Sequence, residues 1–177
     1  MPRIVELLQQ NRTLISDGAW GTFLQRKGLQ PGECPELWCV TRRAEVLDIA
    51  RNYIAAGADM IETNSFGASR FKLQFYGLET RAAEINRAAA EISREAAGQT
   101  HCVLGSIGPT GKLLLMGDVP EADLYDAFRE QAVALEAGGA DAVCIESMSA
   151  LDEACLAIRA ARENTRLEII CTLTFNR

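Results

Sequence analysis

Two periods alternate along this chain. Short, continuous apolar runs fall at residues 13–15, 60–63, 102–107, 142–146 and 168–175. Between them lie longer stretches in which apolar residues recur every three or four positions. Unbroken apolar runs are how strands covered on both faces read, and the three-to-four spacing is that of amphipathic helix. The helices predicted this way cover residues 1–12, 22–27, 43–56, 69–75, 80–97, 120–137 and 149–163. In the third of these Val46, Leu47, Ala50, Tyr53 and Ile54 share a face. In the fifth, capped by Thr80, Ala82, Ile85, Ala89, Ile92 and Ala96 do. Gly57 and Gly98 close two of them. Pro120 suits a first helical turn, and Ser149-Ala150-Leu151-Asp152 has the spacing of a capping box. The resulting order is strand–helix repeated four times plus one more strand, a parallel α/β arrangement. Gly57-Ala58-Asp59 and Gly139-Ala140-Asp141 each lead into a strand with an acid near its end. This is the echo of a repeated βα unit.

The chain has 177 residues with 48% apolar and 24% charged, the mix of one globular domain with a core, taken as residues 1–177. A net charge of −6 without a Lys/Arg cluster argues against a nucleic-acid surface. No apolar run reaches membrane-spanning length, and residues 1–12 lack a signal-peptide core, so a cytoplasmic location is expected. The six cysteines are scattered. Cys102, Cys144 and Cys171 sit in strand-like runs and read as buried thiols. Cys34 and Cys39 have the spacing of half a zinc site, but no second pair lies nearby. His101, the one histidine, precedes a strand and reads as structural.

Chemistry gathers where strands end, which in parallel α/β folds is where sites are built. The first run delivers Asp17 into a loop with Gly18 and Gly21. Glu62, Asn64 and Glu146, with Ser65, Ser147, Thr172 and Thr174, stand at the ends of later runs. Carboxylates at such a rim can hold an amine, and backbone N–H groups across Gly18–Thr22 can hold a carboxylate, the two ends of an amino acid. The loop Gly105-Ser106-Ile107-Gly108-Pro109-Thr110-Gly111-Lys112-Leu113 is no phosphate loop. Its glycine spacing is wrong, and Leu113 stands where a Mg²⁺-binding hydroxyl is needed.

Four motifs in order, Asp17-Gly18-Ala19-Trp20-Gly21-Thr22, Glu62-Thr63-Asn64-Ser65-Phe66-Gly67-Ala68, Gly108-Pro109-Thr110-Gly111 and Glu146-Ser147, resemble the homocysteine S-methyltransferase family. That family includes the homocysteine-binding module of cobalamin-dependent methionine synthase and betaine–homocysteine methyltransferase. The resemblance implies a (β/α)₈ TIM-type barrel, here cut to about five strands and four crossover helix units. It implies methyl transfer to the thiolate of homocysteine, giving methionine. The methyl donor is methylcobalamin, brought by a corrinoid protein, or a methylated small molecule. Carried onto this sequence, Asp17 and Glu146 hold the substrate amine. Gly18, Ala19, Gly21 and Thr22 form the loop on its carboxylate, and Thr63 and Asn64 line the same pocket. The family's zinc, which lowers the pKa of the thiol, is held by three late cysteines. None of the six here matches them, so these ligands are expected beyond Arg177.

A five-stranded piece of barrel is expected to expose its inner face and two strand edges. Self-association, or pairing with a chain that completes the barrel, follows. Other readings of the same residues are a non-catalytic partial barrel (a binding or assembly subunit or a truncated gene product) and another corrinoid or pterin methyltransferase barrel.

Overall fold

The structure, a computed structural model, describes residues 4–10 and 13–175. Strands β1 (Met60–Glu62), β2 (Cys102–Ile107), β3 (Ala142–Met148) and β4 (Glu168–Leu173) form one sheet in that order, with every neighbouring pair parallel. The helices are α1 (Ile4–Gln9), α2 (Gly21–Arg26), α3 (Trp38–Thr41), α4 (Arg43–Ala55), α5 (Arg70–Leu73), α6 (Ala82–Ala97), α7 (Glu121–Ala137) and α8 (Leu151–Asn164). Helices α6, α7 and α8 are the crossovers that parallel pairing requires.

Alternation along each strand sorts side chains to two faces. Ile107, Val143 and Ile145 point outward into a core made with Leu124, Phe128, Leu135, Leu156 and Ala160 of α7 and α8. Ile61 and Val103 pack outward on Ala50 and Ala97. The opposite face carries Met60, Cys102, Leu104, Ala142 and Cys144, with Ile170 beside them. That inner face was expected to stand open. Its lower half is instead covered by Ile4 and Leu7 of α1 and by Leu14. The Ile4 N–H donates to Glu168 Oε2 at the foot of β4 (2.7 Å). Of the expected helix over residues 1–12, residues 1–3 and 11–12 lie outside the described residues.

The expected first strand is corrected. Its run contributes one bridge, Ser16 to Met60, and no strand. The Ile15 N–H is taken by the Asp59 carboxylate (3.0 Å), so the ladder ends there, and Ile15 is 60% exposed. The sheet therefore has four strands and not five. Thr80 does not cap α6, because a 3₁₀ turn over Glu79–Arg81 runs directly into it. Ala150 occupies the cap of α8 without a side-chain bond, so the Ser149 capping box does not form. Cys171 is exposed because it lies on the outer half of β4.

The Gly-Ala-Asp echo has a structural cause. Each aspartate precedes a strand and accepts an N–H from the neighbouring extended segment earlier in the chain. Asp59 Oδ2 takes that of Ile15 (3.0 Å), and Asp141 Oδ2 takes that of Val103 (2.8 Å). Arg94 of α6 reinforces the second tie. Its guanidinium bonds the Asp141 carboxylate and the carbonyls of Gly139 (3.0 Å), Gly98 (2.7 Å) and His101 (3.2 Å).

Candidate functional site

At the C-terminal end of the sheet the inner face turns polar. Beyond Met60 comes Glu62, beyond Leu104 comes Ser106, and beyond Cys144 comes Glu146. These residues, with the loop after Ser16, enclose a cavity of about 410 Å³. Asp17, Gly18, Ala19, Gly21, Thr63, Asn64 and Glu146, named from the sequence, all line it. Thr22 does not; it sits exposed in the first turn of α2. Ser147, Thr172 and Thr174 also lie outside the lining.

Asp17 is held from three sides. Its Oδ2 accepts from Trp20 Nε1 (2.9 Å) and from the Glu62 N–H (3.1 Å), and its Oδ1 from Ser16 Oγ (3.1 Å). Burial raises its pKa against the lowering effect of these donors. Gly18 passes close under Tyr53, whose hydroxyl donates to the Ala19 carbonyl (2.8 Å). A side chain at Gly18 would meet that hydroxyl at 3.2 Å. Gly21 faces open space.

Glu146 accepts from the Ser106 hydroxyl. It is followed by Ser147 at φ +58°, the one described non-glycine residue with positive φ, where the β3–β4 register shifts. The Ser147 N–H donates to Thr172 Oγ1 (3.0 Å). The bulge re-aims the strand end beside Glu146. Ser147→Val is therefore expected to cost about 1–3 kcal/mol of stability in chemical denaturation, and Ser147→Gly to cost nothing. Equal effects of the two would remove the strain account.

Thr63 and Asn64 already have structural duties. The Thr63 hydroxyl accepts the Ser106 N–H (2.9 Å) and meets Ser65 Oγ (2.6 Å), which donates to the Ser106 carbonyl (2.7 Å). The Asn64 amide donates to the Pro35 carbonyl (2.8 Å) and to Cys39 Sγ (3.6 Å), fixing the loop before α3. Glu36, missed in the sequence, is buried against this loop. It accepts from the Gly67 N–H (2.8 Å) and the Cys34 thiol (3.4 Å), and it lines the cavity. No periodicity marks a loop acid, so only the fold reveals it. Ser106 was legible by alternation from Leu104 but was read as part of a glycine loop. Glycine at 108 admits Phe66, another lining residue; a Cβ there would lie 2.7 Å from the Phe66 carbonyl and ring.

Glu62 stands between the other acids. Burial, then the charges of Glu146 and Asp17, push its carboxyl up to about 7. Four carboxylates (Asp17, Glu36, Glu62, Glu146) thus line the cavity, and no described lysine, arginine or histidine does. Among the described residues, no group of three or more His, Cys, Asp or Glu could hold a metal ion. The Cys34 thiol is pushed up to about 12 by burial and by Glu36, and Cys39 is raised by burial; both stay neutral. A larger groove of about 1080 Å³ lies over α6 and α7, but its charges already pair, Arg70 with Glu130 and Arg87 with Glu91.

The chain matches the family described as homocysteine S-methyltransferase over residues 14–177. It is 33% identical over 171 residues to methionine synthases of Mycobacterium tuberculosis and Mycobacterium leprae, covering 90% of this chain and 14% of each of them. It therefore spans about a seventh of the length of these relatives. The homocysteine methyltransferase MmuM of Escherichia coli superposes with TM-scores of 0.76 (apo form) and 0.78 (metallated form). Identity is 23% in both cases, with 96% and 93% of this chain and 62% and 64% of those chains covered. The α/β fold with its four-stranded parallel sheet is thus similar to that of a homocysteine methyltransferase.

Proposed function

The chain belongs to the homocysteine S-methyltransferase family, and from that premise we propose that its cavity holds the amino-acid end of homocysteine while the thiol is methylated to give methionine. The observation that carries this reading is the charge of the lining, with four carboxylates and no described cationic side chain. Such a pocket favours a cation supplied by the ligand. Asp17 and Glu146 receive the ammonium. The backbone across Gly18, Ala19 and Gly21 faces the carboxylate, with Thr22, outside the lining, continuing into α2. Thr63 and Asn64 hold the walls in place.

In the reaction the homocysteine thiol gives up its proton to solvent, its sulfur attacks a methyl carbon, the new S–C bond forms, and the bond from methyl to its donor breaks with its electron pair staying on the donor. The part of this chain is to anchor the amine and orient the thiol toward the donor. The donor is methylcobalamin on a corrinoid protein or a methylated small molecule. Zinc in this family makes the thiol a thiolate, but the residues described here do not fit a zinc site. In this reading residues 1–177 are one part of a (β/α)₈ barrel in a cytoplasmic enzyme. The exposed outer half of β4 is where further strands, from the same or a second chain, pair. Among the described residues no helix is long and apolar enough to cross a membrane.

Isothermal titration at pH 8 tests the reading. L-homocysteine is expected to bind at least about tenfold more tightly than 4-mercaptobutyrate, which lacks the amine, because a charge-assisted bond is worth about 1.5–3 kcal/mol. Equal binding of the two would overturn it.

A further inference from the structure

Glu62 has a position the reading above leaves unused. It ends β1 in register with Leu104 and faces the inner side of the sheet. Asp17 faces it from the preceding loop, and its own backbone N–H donates to that carboxylate (3.1 Å). From β3 it meets Glu146 and, below, the Cys144 thiol. From β2 the neighbours are Leu104 and Ser106, both uncharged. From α6, Ser93 Oγ donates to the Glu62 carbonyl (2.9 Å). No positive group faces it from any of these elements.

We propose that Glu62 is a specificity-determining residue: it carries a proton while the cavity is empty and releases it when a cationic amine is seated between Asp17 and Glu146. Where the amine sits rests on the function proposed above. Three carboxylates around one half-buried cavity cannot all ionise cheaply. Burial and its two acidic neighbours hold the Glu62 carboxyl up near 7, and the Cys144 thiol, pushed to about 12, remains neutral beneath it. On binding, the Glu62 O–H bond breaks, its proton leaves to solvent through the cavity mouth, and the carboxylate turns to the ammonium. A neutral or anionic ligand brings no charge to offset the new carboxylate. Selection for the amine is thereby built into the proton balance.

Titration calorimetry of the full chain with L-homocysteine, at pH 6.5 in two buffers of different ionisation enthalpy, reads the released proton directly. Most of one proton is expected from the native chain and none from Glu62→Gln. Affinity of the native chain should rise about tenfold between pH 6 and pH 8, while that of Glu62→Gln stays flat. L-2-aminobutyrate, an amine without the thiol, serves as the second probe. Proton release with it but no binding of homocysteine keeps the role of Glu62 and removes the homocysteine reading. Binding of homocysteine with no proton release and no pH dependence keeps that reading and overturns the inference. No binding of either probe overturns both. Thermal unfolding without ligand gives an independent check. A carboxyl raised in the folded state makes the native chain lose stability as pH rises from about 4.5 through 7. Glu62→Gln should abolish that loss, and a loss of the same size in the variant counts against the proton being on Glu62.

Discussion

Asp17→Asn is expected to weaken L-homocysteine binding by about 10- to 100-fold and to leave the fold intact. Both halves follow from the bonds Asp17 makes. Trp20 and the Glu62 amide both donate to one oxygen, Oδ2, and only the Ser16 hydroxyl reaches the other. An asparagine can place its carbonyl where Oδ2 stands and turn its NH₂ toward Ser16 Oγ, which can also accept. The wall of the cavity keeps its shape and loses one charge. A charged hydrogen bond to an ammonium is worth about 1.5–3 kcal/mol, which converts to the stated range. Binding titration and circular dichroism on the same sample check the two halves separately. Affinity within threefold of the native chain would take Asp17 out of the amine site.

Arg94→Ala is expected to cost about 3–5 kcal/mol of stability. Arg94 and Asp141 are each 15% exposed in their side chains and pair with one another. Removing the arginine strands the Asp141 carboxylate in a partly buried site. It also leaves the carbonyls of Gly98, His101 and Gly139 without this donor. For a chain of this length the loss corresponds to a fall in Tm of roughly 10 °C. Asp141→Ala should cost a similar amount, and the double variant less than the sum, because the second change removes a charge the first left unpaired. Additive losses would show that the two side chains act independently.

Much of the fold could be read from apolar periodicity because β1, β2 and most of β3 are covered on both faces. Cys102–Ile107 is buried along its whole length, and its boundaries were legible to the residue. The run at residues 13–15 failed for the complementary reason. It lies at the edge of the sheet, where an aspartate side chain replaces the ladder, and local pattern carries no record of that substitution. The cap predicted at Thr80 failed because a 3₁₀ turn runs straight into α6, and the one at Ser149 failed because α8 starts one residue later, with extended Ala150 at its cap. In the candidate site, Asp17, Glu62 and Glu146 stood out because acids at the ends of apolar runs have few structural excuses. Glu36 did not, since a loop acid looks solvated until the fold buries it against Gly67. The sequence also could not show that Thr63 and Asn64 spend their polar atoms on neighbouring backbone.

The paired Asp59 and Asp141 ties have a further consequence for how this sheet finds its alignment. A strand that slips by one residue turns its apolar set the wrong way, and the hydrophobic pattern itself forbids this. A slip by two residues restores the facing of every side chain, so burial alone barely opposes it. Such a slip would carry Glu62 or Glu146 about 7 Å along the sheet, far enough to pull an acid out of the cavity. It would also move an aspartate off the backbone N–H it accepts. The two short Gly-Ala-Asp turns therefore proofread an error to which the core is blind, and they do so at the opposite end of the strands from the chemistry they protect.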